Sequence, residues 1–386
     1  MSTTTPLCPT CGQPASEALG GPPHDWECRN EACSEYGQPV RWDEPAAAGR
    51  GLRERLAAGV VVGAEGYLFE LERRGFLKAG PFVPEVVLDF PDAVRGLHRE
   101  MLRAGAEVMV AFTYYGHRDK LRSIGREDDL EPLNRNALRL AREVAAEGDA
   151  LVAGNICNTW VYDMDAPESS GETVREMYRE QVRWAVEEGA DLIISETHDY
   201  LGEALISVEA IREAGLPSVV TFASTDETTI DGYAFDDACR RLEAAGADVV
   251  GLNCSRGPRT MLPLLERIRA AVGCHVAAQP VPYRTTPGQP NFEGLKDAGG
   301  VRGFPIALEP FQCNRFELAD FAAAAREMDV RYIGICCGGA PHYVRAMAER
   351  LGRTVPASRY SPDMAQHPIL GKNVGEHAKR FVNWKD

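Results

Sequence analysis

At 386 residues the chain exceeds one small module and suits a domain of about 250–300 residues with additions. With 44% hydrophobic and 26% charged residues it has a globular composition, and no run nears the ~18 apolar residues of a membrane span. Forty-two basic residues against fifty-seven acidic ones leave a net charge of −15, which argues against a nucleic-acid groove and disfavours anionic membranes.

The first residues, MSTTTPLCPTC, lack both a basic n-region and an apolar h-region, so the expected location is cytoplasmic. Eleven cysteines in such a compartment are expected as reduced thiols or metal ligands. Four of them, Cys8, Cys11, Cys28 and Cys33, stand in residues 1–46, a stretch with little else to form a core. Two close pairs can bring four thiolates to one tetrahedral zinc, which supplies the folding energy the segment lacks. A zinc-ribbon-like module with a structural zinc is therefore expected over 1–46, with His24 able to replace one thiol. The stretch DEPAAAGR (43–50) reads as a linker.

A single rhythm then repeats: a short β-branched run, a turn, and a longer stretch of helical period. The runs are GVVVGAEG (59–66), AEVMVAFT (106–113), DALVAGN (149–155), DLIISET (191–197), PSVVTFA (217–223), DVVGLNC (248–254), CHVAAQ (274–279) and RYIGICC (331–337). Several intervening helices end in glycine and lead straight into the next strand, as in EEGAD, EAGLP and AAGAD. Runs apolar on both faces suit a parallel sheet covered by helices. Eight such units predict an α/β chain with a (β/α)8 TIM barrel over 50–352; no GxGxxG follows the first strand to favour a doubly wound sheet. The Pro- and Gly-rich connection 280–316 is long enough to be functional, and 353–386 reads as a C-terminal arm suited to homo-oligomer formation.

In a barrel the active site lies at the C-terminal ends of the strands. Those positions include Glu65 and Gly66, Tyr114 and Tyr115, Trp160, Glu196, Asn253 and Cys254, and Cys336 and Cys337. Three cysteines thus converge from strands six and eight. Neighbours in a strand face opposite ways, so Cys336 and Cys337 share a face only where the chain bends, and Gly338 and Gly339 permit that bend. Small buried hydrophobes would account for Cys239 or Cys313, but not for three thiols at one barrel mouth. Three thiolates with an open fourth position describe a catalytic zinc. Ligands so electron-rich quench the metal for hydrolysis and suit it to keeping a thiol substrate deprotonated, which points to alkyl transfer onto sulfur.

These motifs carry a resemblance. LERRGFLKAGPFVPE (71–85), LHREMLRAGAEVMVAFTYY (97–115), EGDALVAG (147–154), GLNC (251–254), ALEP (307–310) and VRYIGICCGG (330–339) resemble the homocysteine methyltransferase family, nearer its betaine branch than its S-methylmethionine branch. The resemblance covers about residues 52–351. It implies that Cys254, Cys336 and Cys337 hold zinc, that homocysteine is the thiol, and that Glu196 binds its amino group. It also implies that Phe82 and Tyr115 wall the onium donor, with Glu65, Gly66 and Asn253 beside the substrates. The product is methionine, and no folate or cobalamin is needed because the onium group already activates the methyl carbon.

The chain departs from the family in two places. After strand one it reads Ala64–Glu65–Gly66 where the family has Asp-Gly-Gly or Asp-Gly-Ala, and after Glu196 it has Thr197 where betaine enzymes carry an aromatic. Trp160, Tyr200 and Tyr283 are candidates to complete the aromatic enclosure. The Glu65 departure motivates a second reading, with S-methylmethionine or another thiol as substrate. A third treats the chain as a non-catalytic zinc scaffold.

Overall fold

The computed structural model describes residues 8, 13, 15–17, 26–33, 36, 37, 39, 40, 51–223, 225–367 and 371. They fall into two units, residues 43–354 and the two chain ends, Met1–Trp42 with Val355–Asp386.

In the larger unit the β-branched runs pair side by side. The strands are β1 (Val61–Ala64), β2 (Val108–Val110), β3 (Leu151–Cys157), β4 (Leu192–His198), β5 (Ser218–Ala223), β6 (Val249–Asn253), β7 (His275–Gln279) and β8 (Tyr332–Ile333). Each pairs in parallel with the next, and β8 pairs with β1 through Tyr332↔Val61, which closes the barrel. Nearly every strand residue is buried, so both faces need cover. Helices supply the outer layer: α1 (Pro91–Arg103), α2 (Leu130–Ala145), α3 (Pro167–Glu187), α4 (Leu201–Glu213), α5 (Phe235–Ala245), α6 (Pro258–Ala271), α7 (Arg315–Glu327) and α8 (Pro341–Arg350). None of the described helices is long and apolar enough to cross a membrane.

The barrel interior is filled rather than hollow. A Cβ on Gly63 would come within 2.7 Å of the Tyr332 hydroxyl, so the small residue on β1 makes room for the large one on β8. Six of the strands are shorter than their apolar runs, and β8 keeps only two residues, ending at Ile333. That early end frees Cys336 and Cys337 to turn together over the barrel mouth. The 280–314 connection folds back on the same end: Phe292 N–H donates to Ser255 O at 2.8 Å, and Tyr283 stacks on Phe292 with centroids 5.6 Å apart.

The smaller unit holds three two-residue antiparallel strands, Ser16–Glu17, Trp26–Glu27 and Pro39–Val40. Cys8, Cys28 and Cys33 are buried together, with their Sγ atoms within 4.8 Å of one another. Cys11 and His24 lie outside the described residues. Residues from Val355 onward, set apart as an arm by the sequence reading, group with this N-terminal segment. Buried Glu27 accepts from Arg359 at 2.8 Å and also pairs with Arg29, so a C-terminal cation helps neutralise an N-terminal acid.

Candidate active site

Two reverse bends bring the thiols together. Cys254 follows β6 with φ 56°, and its N–H donates to Gln279 O at 3.0 Å. The Cys336 N–H donates to Pro280 O at 2.9 Å, and Gly339 N–H closes a turn on Cys336 O at 2.8 Å. Glycine is required on both sides of that turn. Gly338 has φ 90° and a Cβ there would lie 2.4 Å from the Tyr283 hydroxyl; Gly66 has φ 89° and a Cβ there would lie 2.6 Å from Cys336 O.

The Sγ atoms of Cys254, Cys336 and Cys337 lie within 4.8 Å of one another, with 3.9 Å between the last two. Hydrogen bonds within the cluster push the thiols in both directions, the largest lowering Cys254 and Cys337 and raising Cys336, while burial and neighbouring negative charge leave all three well above the ordinary thiol range. Without a cation such a cluster stays protonated. A soft divalent metal removes that penalty, so the donor set fits zinc.

Beside the thiols runs a pocket lined by Glu65, Gly66, Tyr67, Leu68, Phe112, Tyr114, Asn155, Glu196, Cys336 and Cys337, among others. Glu196, near the end of β4, accepts from Asn155 Nδ2 at 2.6 Å and from Asn253 Nδ2 at 2.9 Å. Burial pushes its carboxyl up to about 7, against the opposing hydrogen bonds of Asn155 and Thr197. Glu65 is buried with no hydrogen-bond partner on either carboxylate oxygen among the described residues. Burial first, and the charge of Glu196 second, raise it well above the usual carboxylate range. Oxygens of Glu65 and Glu196 and the Cys336 sulfur lie within 4.8 Å of one another. None of the described lining residues is cationic. A pocket walled by two carboxyls and two of the three thiols is built to receive positive charge.

Asn253 stands behind this wall. It is fully buried, its Oδ1 accepts from Thr197 N–H at 2.9 Å and Thr221 Oγ1 at 2.8 Å, and its Nδ2 also reaches Thr197 Oγ1 at 2.8 Å. With every polar atom engaged inside the protein, it orients Glu196 and is not part of the pocket lining. Thr197, at φ 63°, spends its hydroxyl on Asn253 and Glu196.

The aromatic walls differ from expectation. Phe82 packs on Phe69 with centroids 5.5 Å apart, and neither Phe82 nor Tyr115 is among the pocket-lining residues. Tyr115 lies 4.2 Å from Tyr114 by ring centroid, carries the Lys120 ammonium 4.2 Å from its own ring centre, and accepts from Trp160 Nε1 at 2.9 Å. The rings beside the thiols are Tyr67, Phe112 and Tyr114. Of the other candidates, Tyr200 pairs with Tyr162 at 5.4 Å, and Tyr283 is buried with its hydroxyl accepting from Arg73 at 2.8 Å.

Three supports escape a reading of sequence alone. Asn155 gains its role from facing Glu196 across β3 and β4. His198 contacts Ser195 Oγ at 2.6 Å across a register shift in β4, and Glu203 accepts from Thr159 N–H and Oγ1 at 2.8 and 2.6 Å. Of the seven described non-glycine residues with left-handed φ, six, Phe82, Tyr115, Trp160, Thr197, Cys254 and Ser255, have φ between 53° and 63° and stand at this end of the barrel, whereas Asp329 precedes β8. Backbone strain concentrated at one mouth is a mark of a working site.

The sequence profile of the homocysteine S-methyltransferase family matches residues 65–351. Betaine–homocysteine S-methyltransferase 1 of Xenopus laevis is 38% identical over 350 residues, covering 88% of this chain and 84% of the relative. S-methylmethionine–homocysteine S-methyltransferase of Pongo abelii is 36% identical over 343 residues, covering 87% and 90%. A solved homocysteine methyltransferase of Escherichia coli in its metallated form superposes with a TM-score of 0.60 at 20% identity, covering 76% of this chain and 96% of that one, and shares the barrel fold. With the profile covering well over half of the chain and relatives matched along most of their length, the chain belongs to the homocysteine S-methyltransferase family.

Proposed function

We propose that this methyltransferase moves a methyl group from a betaine-like quaternary ammonium, or a sulfonium, to the thiol sulfur of homocysteine, giving methionine. The observation that carries the reading is the convergence of three sulfurs within 4.8 Å, those of buried Cys254 and Cys336 and half-buried Cys337, beside a buried carboxylate pair. Cys254, Cys336 and Cys337 would hold zinc, which supplies acidification of the acceptor thiol near neutral pH.

The remaining work belongs to the protein. Glu196, oriented by Asn155 and Asn253, receives the acceptor's ammonium, and Glu65 offers a second carboxylate to the same charge. Tyr67, Phe112 and Tyr114 present apolar walls that exclude water from the attacking sulfur and cradle the onium. The new carbon–sulfur bond forms as the bond from carbon to the onium nitrogen or sulfur breaks, and that atom leaves as a neutral amine or sulfide with its electron pair. Alignment and dryness are what this displacement requires.

The three sulfurs of Cys8, Cys28 and Cys33, within 4.8 Å of one another, support a second, structural zinc in the 1–46 module, to which the CPTC spacing would bring Cys11 as fourth ligand. Small-molecule partners and a cytoplasmic setting accord with the acidic surface and reduced thiols.

A donor panel scored by methionine formation tests the reading. Onium donors larger than glycine betaine, or sulfonium analogues, are expected to equal or exceed it in kcat/KM, because no aromatic stands at position 197. A strong preference for glycine betaine would contradict that expectation, and no methionine from any donor would overturn the activity. Gly66→Ala is a structural check on the metal centre. Its Cβ would displace the Cys336 carbonyl, and zinc affinity is expected to fall by about 10–100-fold, read by competition with a chelator.

A further inference from the structure

We propose that Lys120 selects zwitterionic methyl donors by pairing with their anionic end, at a mouth site built with Tyr115 and Trp160. The inference rests on the onium-donor reading above and names the residue that reads the other end of that donor.

The helix Arg118–Ser123 follows β2 and carries Lys120 over the barrel mouth. Its Nζ lies 4.2 Å from the Tyr115 ring centre and 5.3 Å from that of Trp160. The indole N–H donates to the Tyr115 hydroxyl at 2.9 Å, so the two rings and the ammonium form one cluster. Trp160 is 68% exposed and sits at φ 63°, a large apolar ring held on a strained backbone at the rim.

The charge on Lys120 is handled differently from its neighbours. Arg118 pairs with Glu180 at 3.2 Å, Arg122 with Asp119 at 2.6 Å, and Arg126 with Asp89 at 2.7 Å. No carboxylate among the described residues pairs with Lys120, which is half-buried and rests on aromatic faces alone. Asp199, whose charge acts on Tyr115, is engaged by Asn158 Nδ2 at 2.9 Å. The ammonium is thus fixed, partly dry and without a protein anion.

Its place fixes what it can do. Tyr114 lines the thiol pocket, and its ring neighbours that of Tyr115 at 4.2 Å, so Lys120 stands one ring outward from the sulfurs. Two cations repel across a shared aromatic face, so the donor's onium belongs at Tyr114 and not at Tyr115. Whatever part of the donor extends towards the rim then meets an ammonium. A carboxylate or sulfonate there gains a charge-assisted bond, whereas a purely cationic donor is repelled.

The test compares a donor carboxylate with its methyl ester, which keeps the onium and removes the negative charge, using the full-length zinc-loaded protein. Wild type is expected to favour the carboxylate by about 10–100-fold in kcat/KM, the range of a hydrogen bond to a charged group. Lys120→Met should reduce the preference to about threefold or less, and Lys120→Arg should keep most of it. A second readout needs no turnover. Trp160 fluorescence, isolated by difference from Trp160→Phe, is titrated with the dimethylamino carboxylate left after methyl transfer. Its Kd should weaken by at least about tenfold in Lys120→Met and stay within about threefold in Lys120→Arg. Unchanged carboxylate preference, or unchanged Kd, in Lys120→Met overturns the assignment. If wild type takes methyl from neither donor, the donor reading has failed, and the fluorescence titration still decides the role of Lys120.

Discussion

Cys254→Ala is expected to lower methionine formation below about 1% of wild type while leaving the barrel folded. One of the three proposed zinc ligands is lost, and two thiols hold a tetrahedral metal far less tightly than three. The fold does not depend on that cation, since the core is packed on both faces of the barrel wall by residues such as Tyr332, Leu252 and Val220, all fully buried. The stability cost should therefore resemble an ordinary small core change, about 1 kcal/mol, read as a shift of a few degrees in Tm. Cys28→Ala should give the opposite pattern: the 1–46 segment becomes protease-sensitive and most turnover survives. Equal loss of activity in both variants would contradict this division of labour between the two cysteine clusters.

The second large effect concerns Glu196. Glu196→Gln keeps the shape and the contact with Asn155 but removes the charge offered to the acceptor's ammonium. The acceptor KM should rise by tens to about a hundredfold, or roughly 2–3 kcal/mol for a charge-assisted bond in a dry site, with a much smaller change for analogues that lack the amino group. A variant indistinguishable from wild type would move the ammonium contact to Glu65. The same residue makes a pH prediction for the metal-free protein. An unfolded glutamate ionises near 4.3, whereas burial holds Glu196 up to about 7 in the folded chain. Between those values the folded state binds more protons than the unfolded one, so stability should fall as pH rises through that window. Glu65 is raised for the same reason and adds the same sign. Denaturant unfolding at several pH values should show a shallower slope in Glu196→Gln. Acceptor binding runs the other way, improving as the carboxyl ionises, which separates the two effects.

The barrel is legible because each strand is buried on both faces, and that leaves an unbroken β-branched run in the sequence. The end of β8 is not, since VRYIGICC is apolar throughout and only the turn at Gly338 and Gly339 shows where pairing stops. The thiol cluster is legible from three cysteines at two strand ends. The aromatic walls are not: Tyr114 and Tyr115 are adjacent and identical in chemistry, and the left-handed φ of 57° at Tyr115 decides which ring faces the sulfurs. Asn253 reads as a substrate contact from its place beside Cys254. Its actual partners come from β4 and β5, and no local pattern encodes them. Lys120 looks like one more surface cation in RDKLRS until the loop after β3 brings Trp160 against Tyr115. Glu65 is visible as a departure from the family, but its unpartnered burial beside Glu196 is a fact of packing.

The most direct test of the thiol-methylation account is transfer of an isotopically labelled methyl group from an onium donor to homocysteine, followed by mass spectrometry of the methionine formed. Zinc-loaded protein is expected to give labelled methionine. The label should vanish in Cys254→Ala and after metal stripping, return when zinc is restored, and persist in Cys28→Ala. Labelled methionine undiminished in Cys254→Ala, or absent from the zinc-loaded wild type with every onium donor tried, would contradict the account.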